Sequence, residues 1–365
     1  MYHYLKHEIE TKDMYKKMPL PTEKQLSTMF NVSRITSKKA LDKLASEGLI
    51  HRTPGRGSYV SQPIKQTGPP LAKDRLIGVI LNHSNVYGTK VLEGIEKETS
   101  KQKQLVVVKY SYDQYERQEC AIRELIEYGV SGLIIMPLNG HVATPAIMEA
   151  ILAGMPLVCV DRYMKELPLP FVATDNACAA KDMTNYLLTL GHTKVAVVTN
   201  DYTQISTLEQ RIEGIVKGFA EHGVAIDEHL WCTTLEDEHS EEQDTTETDI
   251  QKILQLLQNH PEITAIFALK HDLATLAVEA AKRLSLDIPC DLSIVCFDHT
   301  YVKSGRYPFT HISQKQEEMG STAVLLLNQR IQQPDFTEKV VLDYELIIGQ
   351  STIERPISNE GSVAT

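Results

Sequence analysis

The sequence predicts an α/β protein in two parts. A small N-terminal winged helix-turn-helix domain precedes a larger, two-lobed effector domain built from two parallel-sheet α/β lobes. Three observations predict this. Residues 19–60 carry helix starts, apolar stripes and a Gly-rich hairpin in the order helix, turn, helix, hairpin. Beyond residue 74, seven apolar, β-branched runs alternate with amphipathic segments. Charge divides along the same boundary: residues 1–60 hold 11 Lys and Arg against 6 Asp and Glu, the rest of the 365 residues hold 26 against 42, and the whole chain is −11.

Each element of the N-terminal part has a local cause. Pro19 and Pro21 keep the chain extended. Thr22 and Gln25 have capping-box spacing, which satisfies free amides at a helix start. Leu26, Met29 and Phe30 form an apolar stripe at helical spacing. Asn31-Val32 is a short break, and Ser33 is placed to cap a second helix whose buried edge is Ala40, Leu41 and Leu44. Gly48 is a candidate C-cap. Leu49 to Arg52 and Ser58 to Val60 read as short strands around a turn at Thr53-Pro54-Gly55-Arg56-Gly57.

The second helix opens Ser33-Arg34-Ile35-Thr36-Ser37-Lys38, hydroxyls and cations with few large apolar groups. A recognition helix needs that composition, because its first turns enter the major groove among phosphates and base edges. Arg34 has the fork that fits a guanine. Thr36, Ser37 and Lys38 suit phosphates. Arg52 and the wing residues Gly55, Arg56 and Gly57 complete the candidate DNA-contacting set, with Arg56 at the tip. Basic charge on a small domain of an acidic chain is the electrostatic footprint of a nucleic-acid partner. The stretch PLPTEKQLSTMFNVSRITSKKALDKLASEGLIHRTPGRGSYV resembles the winged helix-turn-helix of the GntR family of bacterial transcription regulators across residues 1–61. That resemblance implies DNA contacts from Ser33, Arg34, Thr36, Lys38 and the wing. The chain departs from the family pattern at Ser37, Lys38 and Pro54.

Residues 62–74 hold three Pro, a Gly and polar residues without hydrophobic period, the composition of a linker. The apolar runs that follow are LIGVIL (76–81), QLVVVKY (104–110), SGLIIMP (131–137), PLVCVD (156–161), KVAVVTN (194–200), AIFALK (265–270) and SIVCFD (293–298). Continuous apolar strands between helices imply parallel sheets covered on both faces. The length of the region, 75–350, implies two lobes rather than one sheet. Several runs end in a polar residue: Asn82, Asp161, Asn200 and Asp298. Ligands of open α/β sheets sit beyond strand carboxyl ends, which makes these residues a candidate ligand shell. Capping of the following helix is the alternative reading for any one of them. No nucleophile elbow, phosphate-cradling glycine loop or metal-spaced His/Cys cluster is present, so the sequence points away from an enzyme and calls for no cofactor or metal.

RLIGVILNHSNVYGTKVLEGIEKE, VSGLIIMP, AGMPLVCVDR, VATDNACAAKDMTNYLLTLGHTKVAVV and the later blocks to residue 330 resemble, in order, the LacI/periplasmic-binding-protein type I effector domain. That resemblance implies two α/β lobes crossed three times by the chain, with a small ligand between them. Its ligand residues fall on Ser84, Tyr87, Asp161, Arg162, Asp175, Arg211, His271, Asp272, Asp298 and Gln314. Carboxylates and Arg engage adjacent hydroxyls bidentately, which suits a neutral polyol. The expected protein is therefore a homodimeric, cytoplasmic repressor of carbohydrate-utilisation genes. It binds double-stranded operator DNA and is relieved by a sugar, a pentose such as L-arabinose favoured. The alternative is a corepressor-type regulator in which a purine or other small metabolite strengthens DNA binding. The only Trp, Trp231, falls at an apparent strand start outside this set, leaving Tyr87 and Tyr163 as candidates to stack on a sugar ring.

The acidic run at 235–248 has no calcium-loop spacing and reads as a solvated insertion. Six Cys without a C-x-x-C pair fit a reducing compartment. No apolar run reaches membrane length, so no membrane partner is expected. Residues 351–365 read as a flexible tail.

Overall fold

The computed structural model describes residues 1–11, 19–47, 49–53, 57–60, 75–138, 143–236, 246–299 and 309–355. The chain divides into two compact units, Met1–Pro70 and Leu71–Thr365.

The first unit holds α1 (Tyr2–Thr11), α2 (Glu23–Met29), α3 (Arg34–Ser46), β1 (Ile50–Thr53) and β2 (Gly57–Val60). The capping box forms: Thr22 N–H donates to Gln25 Oε1 at 2.8 Å and Gln25 N–H to Thr22 Oγ1 at 3.3 Å. Ser33 Oγ accepts Thr36 N–H at 3.2 Å and starts α3. β1 and β2 pair antiparallel, Ile50 opposite Val60 and Thr53 opposite Gly57. Leu5, Ile9, Leu20, Leu26, Leu41, Leu44 and Ile50 close one apolar cluster.

Two features differ from the sequence reading. Met29 is 62% exposed, because α2 ends there and the stripe faces inward through Leu26, with Phe30 packed against the same cluster. Helix α1 is additional. Leu5 and Ile9, at i, i+4 spacing among polar and charged residues, bury one edge of a helix against α3. Gly48 and Pro54 to Arg56 lie outside the described residues.

The second unit has two lobes. The first holds β3 (Leu76–Leu81), α4 (Val86–Lys101), β4 (Leu105–Tyr110), α5 (Tyr115–Tyr128), β5 (Gly132–Ile135), α6 (Pro145–Leu152), β6 (Leu157–Val160) and β7 (Phe171–Thr174). The second holds α7 (Asn176–Thr189), β8 (Val195–Asn200), α8 (Ser206–Glu221), β9 (Trp231–Leu235), α9 (Thr246–Asn259), β10 (Ala265–Ala268), α10 (His271–Arg283), β11 (Ser293–Phe297) and β12 (Thr310–Gln314). The chain returns through α11 (Gln316–Gln332) and β13 (Lys339–Leu342) to the first lobe, then through β14 (Tyr344–Ile347) to the second. That makes three crossings.

The sheets run β4-β3-β5-β6-β7-β13 and β9-β8-β10-β11-β12-β14. All pairings are parallel except β14 against β12. In both sheets the lobe's first strand lies inside its second. Strand order reverses there, and the carboxyl ends open a crevice at that point.

All seven apolar runs read from the sequence form strands. β7, β9, β12, β13 and β14 are additional to these runs. They are short, and β13 and β14 are edge strands whose burial alternates rather than running continuously. The first five residues of the expected flexible tail are held in place. Ser351 is buried and accepts Thr310 N–H at 2.9 Å, and Arg355 N–H donates to the Leu190 carbonyl at 2.7 Å, so 351–355 are stitched to the second lobe. Residues 356–365, and 237–245 of the acidic run, lie outside the described residues.

The helices that frame the crevice are set by close crossings. A Cβ on Gly94 of α4 would stand 2.0 Å from the Glu317 carbonyl oxygen, and one on Gly320 of α11 2.0 Å from that of Val91. A Cβ on Gly214 of α8 would meet the Ala177 carbonyl oxygen of α7 at 2.2 Å. Ala normally favours a helix over Gly by about 1 kcal/mol. Gly320→Ala is nevertheless expected to lower stability by ~1–3 kcal/mol, because α4 and α11 must part. Denaturant unfolding of the variant checks this, and a gain in stability would contradict the crossing.

Candidate ligand cleft and DNA-reading face

The crevice encloses about 190 Å³. That is below the ~300–1,000 Å³ of sites for drug-sized molecules and suits a small metabolite. Its floor is built twice from one local geometry. Asp161 follows β6 at φ 65° and donates its N–H to the Val172 carbonyl at 2.9 Å. Asp298 follows β11 at φ 63° and donates its N–H to the Ile312 carbonyl at 2.9 Å. A left-handed conformation is unfavourable for a residue with Cβ by about 1 kcal/mol or more, and such strain gathers at functional sites. Here it turns one carboxylate of each lobe into the same space.

The partners of these carboxylates follow. Tyr87, in the first turn of α4, donates its hydroxyl to Asp161 Oδ1 at 2.6 Å. Burial, with the nearby Asp161 and Asp298 charges, raises the Tyr87 hydroxyl well above its ordinary pKa, so it stays a donor. Gln314 and Gln316 donate their amides to the two oxygens of Asp298 at 2.8 and 2.9 Å. Arg211, in the second turn of α8, is buried. Its Nε donates to Asn176 Oδ1 at 2.8 Å, its Nη1 to the Leu269 carbonyl at 2.5 Å, and its guanidinium lies 3.7 Å from the Phe297 ring centre. Burial pushes the Asp298 carboxyl up to about 6, against the pull of Arg211 and the Gln314 hydrogen bond.

Of the ten ligand residues read from the sequence, Tyr87, Asp161, Arg162, Arg211, His271, Asp272, Asp298 and Gln314 line the cleft. Two do not. Ser84 is exposed, and its neighbours His83 and Asn85 line the cleft instead. Asp175 caps α7, accepting Cys178 N–H at 3.0 Å, which is the capping alternative. The residues missed include His83, Lys90, Asp113, His299 and Gln316. Asp113 stands three residues past β4, where the strand-end rule would have found it.

Trp231 and Tyr163 lie outside the lining; Tyr163 stacks on Phe171 at 4.4 Å. The second-lobe wall is instead ring-rich. The His271 and His299 rings are 5.5 Å apart and the His299 and His311 rings 5.2 Å apart, all three with pKa values lowered chiefly by burial. Among the described residues, Arg162 Nε, Asn200 Oδ1 and Gln314 Oε1 are buried without a hydrogen-bond partner, and all three residues line the cleft, where a ligand or water can satisfy them.

On the reading domain, Ser33, Arg34, Ile35, Thr36 and Lys38 are exposed along the first turns of α3. Ile35, overlooked in the sequence, is 70% exposed and presents an apolar surface suited to a thymine methyl. Ser37 is fully buried, which removes it from the DNA-facing set. Arg52 pairs with Glu23 and Asp42, bracing α2 and α3 rather than standing open to a phosphate. Gly57 opens β2 at φ 109°, whereas Gly55 and Arg56 lie outside the described residues.

An N-terminal winged reader joined to a two-lobed binding fold defines a ligand-controlled DNA-binding regulator. Comparison with known proteins agrees. Residues 1–60 match the gntR family of bacterial regulatory proteins, and residues 184–352 match the periplasmic binding protein-like domain. The chain thus combines a gntR-family reading domain with a periplasmic binding protein-like effector domain. It is a transcription regulator and not an enzyme. It is similar, at 25% identity over 97% of its length and 96% of the relative's, to the arabinose metabolism transcriptional repressor of Halalkalibacterium halodurans. It is also similar, at 26% identity over 92% of its length and 97% of the relative's, to the transcriptional repressor CytR of Escherichia coli. Among solved structures, a LacI family regulator from Enterococcus faecium with bound ribose aligns at TM-score 0.64 and 26% identity, over 77% of this chain and all of that one. CcpA of Lactococcus lactis, at 19% identity and TM-score 0.67 over 76% of this chain and 99% of that one, shares the fold. Among the described residues no helix is long and apolar enough to cross a membrane.

The Asp298 value generates a pH prediction. Its folded value of about 6 lies above the ordinary 3.8, so the folded state binds the proton more tightly. The associated stability is present below 3.8 and lost as pH rises through about 6. Asp298→Asn is expected to flatten the pH dependence of the melting temperature over that window. A slope equal to wild type would show that Asp298 is not the titrating group.

Proposed function

We propose that this protein is a homodimeric repressor of carbohydrate-utilisation genes. It leaves double-stranded operator DNA when a sugar, with a pentose such as L-arabinose favoured, is clamped between the lobes of its effector domain. The reading divides the chain into a reader (1–61), a linker (62–74) and a sensor (75–350) working in the cytoplasm.

The observation that carries it is the pair Asp161 and Asp298. One comes from each lobe, in one backbone geometry, facing a cleft of about 190 Å³. Two carboxylates, with Arg162, Tyr87 and Gln314 around them, suit the vicinal hydroxyls of a small ring, because charge-assisted bonds to adjacent hydroxyls are strong and directional. The names of the arabinose relative and of the ribose-bound neighbour support a sugar. In this mechanism the ligand favours one arrangement of the lobes, and through the linker the spacing of two α3 helices on a two-fold operator changes. Linkage demands that the ligand prefer the DNA-free arrangement by ~1–3 kcal/mol.

Two measurements test this. Titrating operator-bound protein with L-arabinose, D-ribose and a set of hexoses is expected to weaken DNA binding ~10- to 100-fold with at least one pentose; no response to any sugar would defeat the reading. Arg34→Ala is expected to lower affinity for operators selected by wild type by ~1–3 kcal/mol and to relax base preference. Arg52→Ala is expected to leave base preference unchanged, since Arg52 braces the domain.

A further inference from the structure

The loop after β4 holds a feature that the reading above does not use. Tyr112 and Asp113 adopt φ 52° and 54°, two successive left-handed residues that carry Cβ atoms. The loop is locked to the first strand: Ser111 N–H donates to the Leu81 carbonyl at 2.9 Å and Tyr112 N–H to the Asn82 carbonyl at 2.7 Å. The strained turn delivers one side chain to the cleft wall. Asp113 Oδ1 accepts from Asn82 Nδ2 at 2.7 Å, Asp113 Oδ2 meets His83 Nε2 at 2.5 Å, and Arg162 Nη1 reaches Asp113 Oδ1 at 3.4 Å.

Arg162 is thereby held at one edge. Its Nη1 is shared between Asp113 and the Leu138 carbonyl, while its Nε is buried and, among the described residues, unpartnered. Of the other cations that line the cleft, Arg211 is buried and committed to Asn176, the Leu269 carbonyl and the Phe297 ring, Lys270 is half-buried and has a partner of its own, and Lys90 is exposed to water. An anionic ligand group needs a deep cation whose charge is not already answered. A hydroxyl needs only a directed donor.

We propose that Asp113 determines the charge class of the ligand: by answering the charge of Arg162 while presenting its remaining donors, it admits an uncharged polyhydroxylated ring and refuses the phosphate ester of the same sugar. This rests on the sugar reading above and adds a residue and a selectivity to it. Asp113 acts through Arg162 and His83 as a positioning residue. Burial alone would push its carboxyl up, but the His83 hydrogen bond and the Arg162 charge hold it well below the ordinary range, so it stays charged.

Calorimetric titration of the full-length protein with D-ribose, L-arabinose and D-ribose 5-phosphate tests this. The comparison includes Asp113→Asn, Asp113→Glu and the double variant Asp113→Asn/Arg162→Gln. Wild type is expected to bind a free pentose at least ~100-fold more tightly than the ester, the weight of one buried charge pair. Asp113→Asn is expected to narrow that ratio ~tenfold or more, Asp113→Glu to keep most of it, and the double variant to lose the affinity gained for the ester. An unchanged ratio in a folded Asp113→Asn overturns the proposal and leaves the sugar reading standing. If that variant does not fold, wild type binding the ester as tightly as the free sugar overturns it equally. Wild type binding no uncharged pentose defeats the sugar reading first and this inference with it.

Discussion

A guanidinium with almost no access to water organises the effector domain. Arg211 is 6% exposed, and a buried charge must be answered by the protein at every face. Asn176 at the start of α7, the Leu269 carbonyl beyond β10 and the Phe297 ring answer three of them. The fourth side looks to the two strand-end carboxylates, whose charges offset the lowering of its pKa by burial. Much of the second lobe is placed by that requirement: α8 brings the charge, α7 its hydrogen-bond acceptor, and β10 and β11 the walls.

The lobes meet around this charge. Next to Arg211, Gln210 Nε2 donates to the Tyr163 hydroxyl at 3.2 Å, and Ser206 Oγ accepts Tyr163 N–H at 3.2 Å. Tyr163 lies two residues beyond Asp161. The turn that bears the first-lobe carboxylate is thus in contact with the helix that bears the second-lobe cation. A ligand bonded to both ends acts on one joint. A site of this kind differs from two independent half-sites because its occupancy biases the arrangement of the lobes.

The sequence made much of this legible, and the failures have physical causes. Continuous apolar strands show themselves by composition, so the two-lobed α/β plan follows from the runs, and their ends mark Asn82, Asp161, Asn200 and Asp298 in the cleft; the other lining residues that were foreseen, such as Arg211 and Asp272, came from the family resemblance alone. Ser84 failed because its neighbours His83 and Asn85, not Ser84 itself, face the cleft, and the sequence does not say which residues of a loop before a helix turn inward. Asp175 failed because a strand-end Asp that caps and one that binds look alike until the φ of the backbone is known: Asp161 and Asp298 are left-handed and Asp175 is not. Ser37 failed because hydroxyls occur on both faces of a short helix. Arg52 failed because its acidic partners, Glu23 and Asp42, are distant in sequence.

Reader and sensor are each complete in themselves, with a Leu- and Ile-rich cluster closing the first and two lobes of matching strand order closing the second. The central claim is that one small ligand is gripped by both lobes at once. Hydrogen exchange of the full-length protein with and without saturating L-arabinose or D-ribose measures this most directly. Protection is expected to rise together in residues 82–90 and 161–163 of the first lobe and in 206–211 and 298–299 of the second. Protection confined to one lobe, or appearing away from these segments, would contradict the account.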